Sequence, residues 1–108
     1  MSTYEGWSNY PTWAVNLWLA NDEGSYRATL ELAAEHNVDP DDGVDVDLWP
    51  YADALREMCE EWYLPELDAG PASDLLTYAW QEIDWREIAE HWANDYAETV
   101  RYEQEHTP

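Results

Sequence analysis

Asp84-Trp85-Arg86-Glu87-Ile88-Ala89-Glu90-His91-Trp92-Ala93-Asn94-Asp95-Tyr96-Ala97-Glu98-Thr99-Val100 repeats a large apolar residue every four positions. Ile88, Trp92, Tyr96 and Val100 share one stripe, with Ala89 and Ala93 beside it. Glu87, Glu90, Asn94, Glu98, Arg101 and Glu105 fill the opposite side. A strand would alternate with period two, so this spacing is that of an amphipathic helix. Asp84, with Glu87 three residues later, opens it in the manner of a capping box.

Four further segments carry the same signature. Asn9-Tyr10-Pro11-Thr12 reads as a helix entry, with Pro in the first turn and Asn or Thr to cap. Trp13, Leu17 and Ala20 form its expected apolar stripe, flanked by Ala14 and Trp18. Ser25 is the expected cap of a second helix from Tyr26 to about Glu35, with Tyr26, Leu30 and Ala33 or Ala34 inward. Asp47 is the expected cap of a third, with Pro50 in its first turn and Ala52, Leu55, Cys59 and Trp62 on one side. Ser73 is the expected cap of a fourth, Asp74 to about Glu82, burying Leu75, Leu76, Ala79 and Trp80. Alternation is confined to Val44–Leu48. These readings predict an all-α fold: a compact single-domain bundle of about five helices over residues 1–108, with an acidic inter-helix loop at Asp39–Asp47.

Twenty-five acidic residues against four arginines and no lysine give the 108 residues a formal charge of −21. An apolar fraction of 45% separates the chain from acidic disordered tails. Eight Trp, eight Tyr and no Phe mean that every aromatic ring carries a polar handle, suited to cores and interfaces alike. Such a charge repels nucleic acid and anionic membranes. No apolar run approaches the ~20 residues of a membrane-spanning helix, and Met1–Trp7 does not read as a signal peptide. Cys59 stands alone, which excludes an internal disulfide and suits a reducing, cytoplasmic location.

Trp7-x-Asn9-Tyr10-x-Thr12-Trp13-x-Val15-x-Leu17-Trp18-Leu19-x-Asn21-Asp22 resembles the opening of a family of small, largely uncharacterised proteins of phages, plasmids and related mobile or archaeal genomes. Asp84-Trp85-Arg86-Glu87-Ile88-Ala89-Glu90-His91 is similar to that family's second common block. The resemblance implies no catalytic residue and no cofactor, and it points to an accessory role on a mobile element. From the residues themselves the first block reads as structural: a helix start, packing aromatics, and Trp7 placed to fold back as a hydrophobic staple.

Tests for chemistry come out negative. In the aspartate loop, counting Asp39 as a first calcium ligand puts Gly43 at the fifth position and Pro50 where the closing Glu of an EF-hand belongs. The loop therefore reads as solvated. Glu103-x-x-His106 is one half of a di-iron motif that needs two copies. Glu87 and His91 are spaced as a surface ion pair, and Cys59 lies on an apolar stripe as an inert thiol. Adjacent acids such as Glu60 and Glu61 point in different directions and make no hydrolase dyad.

What remains is the charge. Duplex DNA carries one charge per ~1.7 Å of axis, or roughly one per 100 Å² of envelope at a radius of about 10 Å. A chain of this size exposes on the order of 6,000 Å², so even spreading gives one net charge per ~300 Å². Mimicry of DNA then requires concentration on one side. Asp39, Asp41, Asp42, Asp45 and Asp47, with Glu57, Glu60, Glu61, Glu87, Glu90 and Glu98, are the expected partner-binding carboxylates. The expected partner is a basic, nucleic-acid-processing protein such as a restriction, CRISPR or other defence enzyme, with no cofactor or metal. Two alternatives stand beside it. The acids form a solvation coat adapted to high salt, which the lack of lysine favours, or the chain is a small regulatory module that uses Trp and Tyr as anchors.

Overall fold

A computed structural model describes residues 5–36 and 48–106, with side chains to residue 103. The aspartate loop, Asp47 included, lies outside the described residues. Five α-helices follow one another with no strand among the described residues: α1 Tyr10–Asn21, α2 Glu23–Glu35, α3 Trp49–Tyr63, α4 Pro71–Gln81 and α5 Trp85–His106. The all-α, five-helix architecture is the expected one.

Asn9 caps α1, its Oδ1 accepting from the Thr12 amide and hydroxyl at 2.9 and 2.7 Å. Prolines occupy the first turns of α1, α3 and α4, where the missing N–H costs no helical bond. Asp84 caps α5 by accepting from the Glu87 amide at 3.0 Å. Three caps differ from expectation, and α3 is one of them: its N-cap position is Leu48, one residue after Asp47, and carries no side-chain capping bond. α2 is capped by Asp22, whose Oδ2 takes both the amide and hydroxyl of Ser25, so Ser25 is a buried donor inside the first turn. The longer carboxylate out-competes the hydroxyl because it offers a charged acceptor at the positive end of the helix. α4 begins at Pro71 after Gly70, one turn's worth of chain before the Ser73 cap read from the sequence.

The core collects Leu19, Ala33, Tyr51, Leu55, Ile88 and Trp92, among others, from α1, α2, α3 and α5. The Ile88 stripe of α5 is inward as read, with Tyr96 half-buried. On α1 the inward face is instead Thr12, Asn16 and Leu19, while Leu17 is exposed and Trp18 is 66% exposed. Polar residues occupy this face because α5 meets them with donors: Trp92 Nε1 to Asn16 Oδ1 at 2.7 Å, and the Asp84 amide to Thr12 Oγ1 at 2.9 Å. On α2, Ser25, Thr29 and Ala33 are buried, with Tyr26 and Leu30 packed at the core's edge and Ala34 exposed. Thr29 returns its hydroxyl to the Ser25 carbonyl, and its own carbonyl accepts from the Tyr51 hydroxyl. On α3, Ala52, Leu55 and Cys59 are buried as expected, but Trp62 lies beyond the core's end and is half exposed. α4 buries no residue completely. Leu75 and Tyr78 face solvent, and only the opposite side, with Leu76 and Trp80, leans on the bundle.

Trp7 packs on the core and sets its ring 5.1 Å from His91 of α5, so it staples α1's entry to α5 rather than to α1 itself. The two sequence blocks, 7–22 and 84–91, therefore meet. Ser8 donates to Glu87, Asn9 Nδ2 donates to the Glu82 carbonyl, and Thr12 accepts from Asp84.

The Asp22 cap gives a pH signature. Hydrogen bonds from the Ser25 side chain and backbone lower its pKa from 3.8. A lowered folded-state pKa stabilises above the unfolded value and is lost as pH falls through the folded one. Asp22→Ala is expected to lower the melting temperature at neutral pH, with the gap to the parent closing below about pH 4. Paired thermal melts from neutral to acid pH measure it, and a gap that persists in acid would assign the cap elsewhere.

Candidate functional site

Six of the eleven expected partner-binding carboxylates lie among the described residues; Asp39, Asp41, Asp42, Asp45 and Asp47 lie outside them. Three of the six are already engaged. Glu60 pairs with Arg56 and accepts from Trp80 Nε1 at 3.4 Å, a long bond. Glu90 pairs with Arg86. Glu87 accepts from the Ser8 amide at 3.1 Å and its hydroxyl at 2.9 Å, so it does not form the surface pair with His91 that their spacing suggested. The His91 ring instead lies between Trp7 and Trp92. Glu57, Glu61 and Glu98 are exposed and make no ion pair or hydrogen bond among the described residues.

Glu57 and Glu61 stand on the side of α3 opposite Tyr51, Leu55 and Met58. Glu87 and Glu98 stand on the side of α5 opposite Ile88 and Trp92. Because both inward stripes meet in one core, the two outward rows point to different sides of the molecule. Other described acids are spread similarly, among them Glu23, Glu31 and Glu35 on α2, Glu66 and Asp68 before α4, Asp74 on it, and Glu82 after it. The surface of 7339 Å² amounts to about 350 Å² per net charge, sparser than the ~100 Å² of duplex DNA.

Against this charge, α1 is exceptional: its 12 residues carry no ionisable acid or base except the Tyr10 phenol. Its flank, with α3 and α4, encloses an open apolar pocket of about 290 Å³ lined by Ala14, Val15, Trp18, Cys59, Tyr63 and Trp80. Two of its walls are fixed from behind. The Tyr63 hydroxyl bonds the Ser25 hydroxyl, which also donates to Asp22. Trp80 packs at a tilt against buried Trp85, ring centroids 5.7 Å apart, and donates to Glu60. On the floor, burial and then the charge of Glu60 push the Cys59 thiol up to about 12. A thiol so far from ionisation is a packing group, not a nucleophile.

Sequence periodicity missed this pocket. It assigned Trp18 to the packed flank of α1, whereas the buried face is rotated toward Thr12 and Asn16. Two uncommon signals were present: a fully uncharged helix in a chain of net charge −21, and Thr and Asn spaced i, i+4 within it. No group of three or more His, Cys, Asp or Glu among the described residues is placed to hold a metal ion. No described helix is long and apolar enough to cross a membrane.

A family model, described as a family of unknown function (DUF7249), matches residues 1–98 and so spans both sequence blocks. No curated protein and no solved structure matches the chain.

Proposed function

We propose that this chain, which belongs to the family of unknown function DUF7249, is a non-catalytic acidic protein that binds a basic protein partner. The observation that carries the reading is the uncompensated surface. The chain sets 25 acids against four arginines, and ion pairs among the described residues join Glu23, Glu60 and Glu90 each to an arginine one turn away on its own helix. Exposed pairs of this kind contribute a few tenths of a kcal/mol, so they do not account for the acids that remain. A field of this sign steers a basic partner and excludes nucleic acid. In its narrower form the partner is a nucleic-acid-processing defence enzyme, the setting is a mobile element, and the carboxylates stand in for phosphates. That form places the weight on the Asp39–Asp47 segment and the α3 row of Glu57 and Glu61 that follows it in sequence.

The test is capture of a basic protein from host lysate, followed by titration of the purified partner. Glu57→Lys/Glu61→Lys and Asp41→Lys/Asp42→Lys are each expected to weaken binding by about tenfold or more and to flatten its salt dependence. Unchanged affinity in both double variants ends the reading.

A second reading is favoured by the spread of exposed acids over α2, α3, α4 and α5. Such a coat suits a protein whose charge serves solubility at high salt. The same preparation distinguishes them by circular dichroism. A coat adapted to salt loses helix when potassium chloride is withdrawn, whereas the binding protein stays folded.

A further inference from the structure

The described acids are dispersed, yet the pocket between α1, α3 and α4 is both concave and almost wholly apolar. We infer that the pocket between α1, α3 and α4 is the anchor site of the basic partner, seating one bulky apolar side chain from a segment that carries lysine or arginine on either side. This inference rests on the reading of the chain as an acidic binder of a basic protein and supplies the docking geometry that the reading lacks.

Three observations fix the occupant. The first is size: about 290 Å³ lies at the lower bound of cavities that enclose small molecules, and suits a single side chain. The second is the composition of the wall. Trp18, Tyr63 and Trp80 surround an aliphatic floor, and Trp and Tyr are the residues over-represented where interfaces concentrate their energy. Trp18 is 66% exposed in a helix without charge, and nothing among the described residues covers it. The third is charge. Asp22, tied through Ser25 to Tyr63, and Glu60, tied to Trp80, brace pocket walls from behind and do not line the pocket, whose own lining carries no charged group. The body around it has a net charge of −21. An apolar seat on a strongly acidic body is complementary to an apolar side chain flanked by cations. A second copy of this chain is disfavoured as occupant, because two bodies of charge −21 repel.

Three synthetic peptides test this by calorimetric titration of the whole chain. One is an amphipathic helix of leucine and lysine. The second has every leucine replaced by serine at equal charge, and the third has every lysine replaced by glutamate. The leucine–lysine peptide is expected to bind. Trp18→Ala and Ala14→Glu, both with parental circular dichroism, are each expected to weaken it by about tenfold or more. The serine–lysine peptide is expected to bind at least about tenfold more weakly and to ignore both substitutions. Leucine–lysine binding that is indifferent to both variants overturns the anchor while leaving the acidic-binder reading standing. Failure of both lysine peptides to bind overturns that reading as well. Equal binding of the leucine–glutamate peptide, or a Trp18-dependent dimer in sedimentation, assigns the pocket to another occupant and overturns the inference.

Discussion

Trp92→Ala is expected to cost about 3–5 kcal/mol of folding stability, against the roughly 5–15 kcal/mol that a domain typically has. Trp92 is almost wholly buried and is the largest of the fully enclosed side chains. Its indole meets Tyr26 of α2 edge-on at 5.4 Å and donates to Asn16 of α1. One side chain of α5 therefore joins three helices. Truncation leaves a cavity and, at the same time, a buried Asn16 oxygen without its donor. Trp92→Phe separates the two effects. It keeps most of the ring but still orphans Asn16, at a cost of about 1–3 kcal/mol. Trp18→Ala is the control, an exposed tryptophan whose removal changes stability by about 0.5 kcal/mol or less. Urea denaturation of the three variants measures the order. Equal midpoints for Trp92→Ala and Trp18→Ala would show that the α5 stripe does not organise the core.

The contrast between these two tryptophans marks what periodicity can and cannot read. The α5 stripe was legible because Ile88, Trp92 and Ala89 bury the apolar side of an amphipathic helix with Glu87 and Glu98 opposite. Length, punctuation by Pro and Gly, and the Asn9 and Asp84 caps likewise placed most helix boundaries. α1 was legible as a helix but not in its rotation. An uncharged helix whose large apolar residues are spread round its axis has no preferred face of its own, and the face is set by whichever neighbour offers partners. Here α5 offers an indole N–H and a backbone amide, which select Asn16 and Thr12 over Leu17 and Trp18. α4 failed for the complementary reason. Leu75 and Leu76 are adjacent, about 100° apart round the axis, and only Leu76 turns from solvent, into the cleft it lines with Trp80 beside α3. The candidate pocket inherits both ambiguities, since α1 and α4 supply two of its three walls. The carboxylates were legible as residues, and the i, i+4 spacing of Arg56 with Glu60 and of Arg86 with Glu90 is a readable pair pattern, but no sequence pattern reveals that Glu87 is held by Ser8.

Thr12→Val is expected to destabilise the fold by about 1–3 kcal/mol even though it makes a fully buried site more apolar. Valine matches threonine in shape, so no cavity arises and the loss belongs to the hydroxyl. That hydroxyl donates to Asn9 Oδ1 and accepts from the Asp84 amide, while Asn9 Nδ2 donates to the Glu82 carbonyl. Together these bonds fasten the start of α1 to the start of α5. With valine, Asn9 still caps α1 through the Thr12 amide position, but the Asp84 amide loses its acceptor. Thr12→Ser is expected to be the milder change, forfeiting about 0.8 kcal/mol for one methyl group while keeping both bonds. This order, valine worse than serine at a site with no solvent exposure, is opposite to what hydrophobicity alone dictates. Hydrogen exchange supplies a local readout: the Asp84 amide is expected to exchange faster in Thr12→Val than in Thr12→Ser at matched global stability. A serine variant less stable than the valine variant, with Asp84 protection unchanged in both, would reduce the junction of the two sequence blocks to simple packing. The expected order instead makes Asn9, Thr12 and Asp84 a polar joint on which the rotation of α1 depends, and with it the outward placement of Trp18.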